Sequence, residues 1–408
     1  MNSVGKVIFI NRYFYPDVSA TSQLLSDLVF DLARTRRVTV LTSRQTYEDP
    51  LASLLATETI FGVNVVRLWT SRFGRGHLGR RLCDYFTFYC SAAWSLAVLV
   101  KRGDIVVAKT DPPLISVIAA IVAKLKHATL INWVQDMFPE VALELKVGGL
   151  QSLGPALRRV RNFSLQVAGV NVVLGDRMAE RVHAQGISRH QVRVIHNWSD
   201  GRQIVPISPE QNPLRSEWGL QDKFVVGYSG NMGRAHEFDT ILQLMASFGQ
   251  DSGIVFLFVG GGAQRKRIEE EARRLNINSI IFKHYQARNL LAQSLGVPDL
   301  HLITLKPELE GSVVPSKLYG ILAAGKPVLN IGDFDGEVAR ILKEGNCGKT
   351  VPVGGVMEAK TYIKSLMLCG ERLATDGKKA RAIFERRFDQ RIALAAWKSV
   401  IANYCHDC

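Results

Sequence analysis

Short runs rich in Val and Ile alternate with stretches of helical periodicity along this chain, and the pattern occurs twice. In the first half the apolar runs fall at 6–10, 37–42, 63–68, 104–108, 129–134, 170–174 and 192–195, mostly bounded by Gly, Asn, Asp or Arg. Helical patterns such as Ser22–Arg34 and Pro113–Lys126 separate most of them. The second opens on Asp111-Pro112-Pro113, where proline costs no hydrogen bond in a first helical turn. Runs that are apolar throughout suit strands buried on both faces, so strand–helix alternation predicts a parallel sheet covered on both sides.

The character changes at Asn197, and residues 201–215, with Pro206, Pro209 and Pro213, read as a linker. Alternation resumes with runs at 223–229, 254–259, 279–283, 299–304 and 327–331, and Ala380–Tyr404 is helical by pattern. A chain of 408 residues exceeds what one core usually serves. The expected fold is α/β, two Rossmann-like doubly wound parallel-sheet domains facing a central cleft. The first covers 1–200 and the second 216–387, and a helix over about 388–404 rejoins the first.

Composition narrows the function classes. Apolar residues make up 47% and charged residues 22%, which excludes a disordered chain. The net charge is +14, and residues 1–200 hold 24 Lys and Arg against 15 Asp and Glu. A basic surface suits nucleic acid, anionic lipid or an anionic substrate, and no nucleic-acid-binding motif is present. Of the six cysteines only Cys405 and Cys408 are close, and one isolated C-x-x-C is no zinc framework. The pattern suits a reducing compartment. The opening residues carry no basic-then-apolar signal, so a cytoplasmic protein is expected. No apolar run reaches the roughly 20 residues of a membrane span.

In doubly wound sheets ligands sit outside the carboxyl ends of the strands. The first such loop, Asn11–Asp17, is long and aromatic and lacks G-x-G-x-x-G, which argues against a nicotinamide or flavin dinucleotide there. The second half opens with a strand running into Gly230-Asn231-Met232-Gly233-Arg234, where backbone N–H groups and an arginine could meet an anion. Gly260-Gly261-Gly262 repeats the arrangement. Glu308-Leu309-Glu310-Gly311-Ser312 then leads to Pro315-Ser316-Lys317-Leu318, placing a hydroxyl and a lysine at a helix start suited to a diphosphate.

Three segments together carry a resemblance: P-S-K-L-Y-G-I-L-A-A-G-K-P-V from Pro315, Y-S-G-N-M-G-R-A-H-E-F from Tyr228, and N-W-V-Q-D-M-F-P-E from Asn132. The chain resembles family 4 glycosyltransferases of the GT-B fold, most of all the bacterial subgroup of exopolysaccharide and O-antigen synthesis, the colanic-acid type. That resemblance implies a nucleotide-diphosphate sugar, UDP or GDP, held mainly on the second domain. Arg234 and Lys317 would clamp the diphosphate; His284, Tyr285 and Gln286 would border the base. Gly230, Asn231, Gly233, Gly261, Ser312, Ser316 and Leu318 complete the implied donor site. It also implies transfer with retention, no metal, and a polyprenyl-diphosphate-linked acceptor reached from the inner face of the cytoplasmic membrane.

The chain departs from the family pattern at three places. Gly320 stands where the second Glu of Glu-x7-Glu is usual and Ser312 at the first, leaving Glu308 and Glu310 as alternative donor contacts. Ser19-Ala20 replaces a Gly-Gly on the acceptor side, where Tyr15 and Thr21 are also expected. Gln135-Asp136 replaces His-Asp, so Asp136 is either the acceptor-side catalytic group or a helix cap near Pro139. Arg72, Arg75, Arg80 and Arg81 flank an aromatic helix over 85–100 that either lies on anionic lipid or only covers the sheet. Two other functions fit less of the chain: a nucleotide-sugar epimerase of the same fold, and a non-catalytic scaffold suggested by the missing Glu.

Overall fold

The computed structural model describes residues 5–47, 49, 53–74, 78–249 and 253–404. Arg75, Cys405 and Cys408 lie outside them. The chain divides into two units, Met1–His196 with Ala393–Cys408, and Asn197–Ile392.

Unit 1 is built on strands β1 (Val7–Ile10), β2 (Val38–Ser43), β3 (Thr57–Ile60), β4 (Val63–Leu68), β5 (Ile105–Lys109), β6 (Thr129–Trp133), β7 (Val170–Val173) and β8 (Val192–Val194). They pair in the order β3-β4-β2-β1-β5-β6-β7-β8, all parallel except β3, which runs antiparallel to β4. Seven of the eight coincide with the apolar runs. The eighth, β3, escapes the pattern because Thr57-Glu58-Thr59-Ile60 forms a half-exposed edge that needs no apolar run.

Residues two apart on a strand share a face. Ile8, Ile10, Val106, Ala108 and Leu130 pack on Phe88, Ala92 and Leu96 of the helix Leu78–Leu99 and on Ile115 and Ala119 of the helix Ile115–Lys126. The intervening Val7, Phe9, Ile105 and Val107 are buried as well, so both faces are covered. The C-terminal helix Gln390–Ala402 returns to this unit by one aromatic contact, Trp397 against Trp133 at 4.7 Å between ring centroids. Tyr404 Oη then donates to Gly169 O at 2.7 Å.

Unit 2 holds β9 (Phe224–Ser229), β10 (Ile254–Val259), β11 (Ile280–Lys283), β12 (Leu300–Thr304), β13 (Val328–Ile331) and β14 (Gly348–Val351). Every pairing is parallel, in the order β11-β10-β9-β12-β13-β14, the two-winged succession of a dinucleotide-type fold. The last strand, Gly-Lys-Thr-Val, has too little apolar content to be read from sequence.

The proposed linker requires correction. Residues 201–215 belong to unit 2, and two of their three prolines start helical turns rather than a tether: Pro209 opens a 3₁₀ turn and Pro213 the helix Pro213–Glu217. Asn212 Oδ1 caps that helix by accepting from Leu214 N and Arg215 N, and its Nδ2 donates to Gln293 O. Arg215 makes a buried two-point pair with Asp299 at 2.9 and 3.0 Å, and Asp299 also accepts from Val225 N. Removing one partner of such a pair strands the other charge. Arg215→Ala should therefore lower the unfolding free energy by about 3–5 kcal/mol in urea titration, whereas a mere linker residue would change it by well under 1 kcal/mol.

Candidate functional site

In unit 2 the strand order reverses between β9 and β12, and the loops that leave their carboxyl ends are where such a sheet takes a ligand. Those loops are Gly230–His236 and 305–316, the two segments singled out by sequence. The β9 loop interlocks with the β10 loop: Met232 N donates to Gly261 O at 2.7 Å, and Gln264 Nε2 donates to Gly233 O and His236 O. Glycine is required at the point of closest approach. Gly260 has φ +132°, and a Cβ there would lie 2.3 Å from Gly230 O. Asn231 and Arg234 are exposed, as are His284 and Tyr285, whose hydroxyl lies 3.5 Å from Gly261 O.

Lys317 is the first residue of the helix Lys317–Ala323. Its Nζ lies 3.6 Å from the centroid of the Tyr228 ring and beside Gly230, where a Cβ would be 3.3 Å from Lys317 Cε. Among the described residues this Nζ is shielded from solvent and has no hydrogen-bond partner; the hydroxyls of Ser229 and Ser312 share that state. Burial pushes the Lys317 amine well below its usual range. His236 bonds Thr304 O through Nδ1 at 2.5 Å and is pushed down to about 3, by burial first and by Lys317 second. Neither Tyr228 nor His236 was given a role by sequence, since a tyrosine inside a strand looks like core.

The two candidate glutamates separate clearly. Glu310 is buried and accepts from Glu337 N at 3.3 Å, at the start of the helix Glu337–Gly345. Gly336 makes this possible, because a Cβ there would fall 2.5 Å from Glu310 Oε1. Glu308 is exposed. Ser316 is exposed and Leu318 buried, while Ser312 is fully buried at the position of the usual first Glu.

In unit 1 the order reverses between β1 and β5, which directs attention to the loops after them. Arg12 N donates to Asp111 O at 2.8 Å, so the two loops are joined. Asp17 Oδ1 accepts from Ser19 N and Ser19 Oγ, which fixes the turn into the helix Ala20–Leu32. Tyr15 is half-exposed, and Arg67 Nη2 holds its carbonyl. Thr21 O accepts from Lys109 Nζ, which also sits over the Trp133 ring at 3.8 Å. Burial holds this lysine well below its usual range, against the pull of Asp111, Asp27 and Asp136.

Asp136 lies on the loop after β6, with its N–H and that of Gln135 directed to Thr110 Oγ1. The helix Glu140–Glu144 begins beyond it and takes no side-chain cap from it. The buried fork of Arg161 on Glu140, at 2.8 and 3.1 Å, secures that segment instead. The surrounding protein and then the Asp111 carboxylate push Asp136 up to about 6, and Lys109 opposes them. Since the residue opens to solvent, water screens part of the burial effect, and the Asp111 charge is the more durable cause. Sequence alone passed over Lys109, Asp111 and Arg12; a lysine closing the apolar strand Ile-Val-Val-Ala-Lys was the available signal. Among the described residues no group of three or more His, Cys, Asp or Glu is placed to hold a metal ion.

Two parallel-sheet units of dinucleotide-binding type, with glycine turns and charged groups on the loops at the carboxyl ends of their strands, define a double-Rossmann α/β protein. The chain belongs to the family 4 glycosyltransferases of the GT-B fold. The profile described as glycosyl transferases group 1 matches residues 210–383, and that described as glycosyl transferase 4-like domain matches 20–198. The probable glycosyltransferase WbjE of Pseudomonas aeruginosa is 26% identical over 338 residues, 79% of this chain and 80% of that protein. The putative colanic acid biosynthesis glycosyl transferase WcaI of Escherichia coli K12 is 26% identical over 211 residues, 50% of this chain and 51% of that one. The structure of Anabaena Alr3699/HepE in complex with UDP superimposes with a TM-score of 0.73 at 16% identity, covering 98% of this chain and 100% of that one. WaaG, a glycosyltransferase involved in lipopolysaccharide biosynthesis, gives 0.71 at 15% identity over 96% and 98%.

A carboxylate serving in its charged form gives a rate that falls as pH drops through its pKa. Turnover should decline on the acid side, through a pKa held above the usual carboxylate range. Asp111→Asn removes the neighbouring negative charge, lowers the Asp136 pKa and should move that limb to lower pH. Asp136→Asn should abolish the limb together with most turnover, while leaving donor binding and melting temperature nearly unchanged. A helix-cap role would reverse this, with a large melting loss at normal specific activity.

Proposed function

We propose that the chain transfers a sugar from a UDP-sugar to a polyprenyl-diphosphate-linked glycan in surface polysaccharide synthesis, retaining anomeric configuration, at the inner face of the cytoplasmic membrane. The observation that carries the donor half is the buried, unpartnered Nζ of Lys317 at the Gly230 turn. An amine in that state favours neutrality until an anion arrives, and a diphosphate supplies the missing counter-charge. UDP is favoured by the HepE structures in complex with UDP and with UDP-glucose. The polysaccharide assignment draws on the names of WcaI and WaaG.

In the reaction the bond from the anomeric carbon to the donor phosphate oxygen breaks, and a bond to the acceptor hydroxyl oxygen forms. The acceptor proton passes to the departing diphosphate. Charge grows on that diphosphate as the sugar leaves, so Lys317 and Arg234 stabilise the transition state more than the bound donor. Asp136 orients the acceptor hydroxyl. The retaining course and the lipid carrier rest on the resemblance to the subgroup.

Lys317→Ala should lower the turnover number by about 10²–10³-fold, the scale of losing one such electrostatic donor. Arg234→Ala should act similarly, with a less-than-additive double variant if both hold one diphosphate. Because burial holds the free amine well below its usual range, UDP binding should take up a proton as the diphosphate restores the charged form. Calorimetry in buffers of different ionisation enthalpy should detect this uptake in the wild type and lose it in Lys317→Met. Normal turnover and UDP affinity in Lys317→Ala would overturn the donor site, and tighter binding of GDP than UDP would reassign the nucleotide.

A further inference from the structure

The helix Leu78–Leu99 presents two different faces. Inward, Phe88, Ala92 and Leu96 enter the core of unit 1, and the buried Asp84 carboxylate accepts from Ser71 Oγ, Phe73 N and Gly74 N. On the same side Tyr85 meets the Arg12 guanidinium at 4.8 Å, and Tyr89 donates its hydroxyl to Pro113 O. Both contacts are with loops that follow β1 and β5, at the sheet edge where Asp136 lies. The helix thus touches the candidate acceptor loops directly.

Outward, the apolar positions repeat every four residues. Leu82, Phe86, Cys90, Trp94 and Val98 are all exposed, Phe86 by 67% and Trp94 by 74%. Ile121 and Leu125 of the adjacent helix Ile115–Lys126 are exposed as well. The flanks are cationic: Arg80 and Arg81 at one end, Lys101 and Arg102 at the other, and Lys124 and Lys126 around Leu125, all exposed. A monomer in water gains nothing from such a stripe, and its surround is the charge complement of an anionic lipid surface.

The expectation that no segment reaches spanning length is corrected here. Gly79–Leu99 has 21 residues at a mean hydropathy of 1.2, sufficient by length and composition to cross a bilayer. Crossing would strip Phe88, Ala92 and Leu96 from the core and Asp84 from its three donors. Lying in the interface keeps all of them in place.

We infer that this face seats unit 1 on an anionic bilayer, the stripe entering the boundary between headgroups and acyl chains while the cations meet lipid phosphates. Docking stands on this surface alone. That it brings the β1 and β5 loops to a lipid-linked acceptor rests on the proposed function.

The test is flotation of the full chain with phosphatidylcholine vesicles, with and without phosphatidylglycerol. The wild type should float with the anionic vesicles, and less so at high salt. Phe86→Ser/Trp94→Ser should reduce partitioning at least about tenfold, with melting temperature and UDP affinity unchanged. Arg80→Gln/Arg81→Gln/Lys124→Gln should weaken binding chiefly at low salt. A wild type that stays in the aqueous fraction overturns the inference. Concentration-dependent self-association abolished by Phe86→Ser/Trp94→Ser would assign the stripe to a second copy, and resistance to carbonate extraction would assign it to a span; either also overturns it. Turnover with a water-soluble acceptor analogue separates the two readings. If it persists without vesicle binding, docking fails and the transferase stands; vesicle binding without turnover gives the reverse.

Discussion

A buried amine held without a counter-charge is the feature on which the proposed donor site of unit 2 depends. Among the described residues Lys317 Nζ finds no hydrogen-bond partner and lies over the face of the Tyr228 ring, so burial disfavours its charged form. A fold tolerates this where the deficit is made up in function. The glycines at 230 and 260 let two loops approach until no side chain could intervene, with Lys317 beside Gly230; the hydroxyls of Ser229 and Ser312 also lack partners among the described residues. In the proposed function this amine is the group that meets the leaving diphosphate.

Unit 1 meets the same problem differently. Lys109 is buried more completely, but its Nζ donates to Thr21 O and lies on Trp133. That ring in turn packs on Trp397 from the end of the chain. This lysine is therefore a structural tie between the β5 end, the first helix and the C-terminal helix. Two buried lysines at the carboxyl ends of two similar sheets differ in one respect, the presence of an internal acceptor. That difference separates a binding group from a brace.

Much of this was legible in the residues. All twelve apolar runs are strands, because burial on both faces of a parallel sheet leaves a continuous apolar signature. The two strands that escaped, β3 and β14, are at sheet edges, where one side is free and Thr-Glu-Thr-Ile or Gly-Lys-Thr-Val suffices. The prolines at 206, 209 and 213 misled for a related reason: proline marks a break in regular structure equally well when the next residues start a helix inside the same domain. The glycine turns after β9 and β10 and the lysine opening the helix Lys317–Ala323 could be placed because glycine and lysine mark the ends of the apolar runs. The roles of Glu310 and Lys109 could not, since both depend on which chain segments meet across more than 25 residues.

The absence of the usual glutamates can be argued from the packing around their positions. Gly320 is buried on the inward side of its helix, and even a Cβ there would come within 3.1 Å of Leu295 Cδ1. A glutamate would have to displace Leu295 or bury its charge. Ser312 is likewise fully enclosed, and the neighbouring Glu310 spends its carboxylate on the N-terminus of the helix Glu337–Gly345, where that helix favours negative charge. The negative charge of the segment is thus satisfied internally. What remains to face a diphosphate is Lys317, with Arg234 and backbone N–H groups on the β9 loop. Cations and dipoles suffice for charge stabilisation of a departing phosphate, so the proposed transfer does not depend on glutamates at 312 and 320.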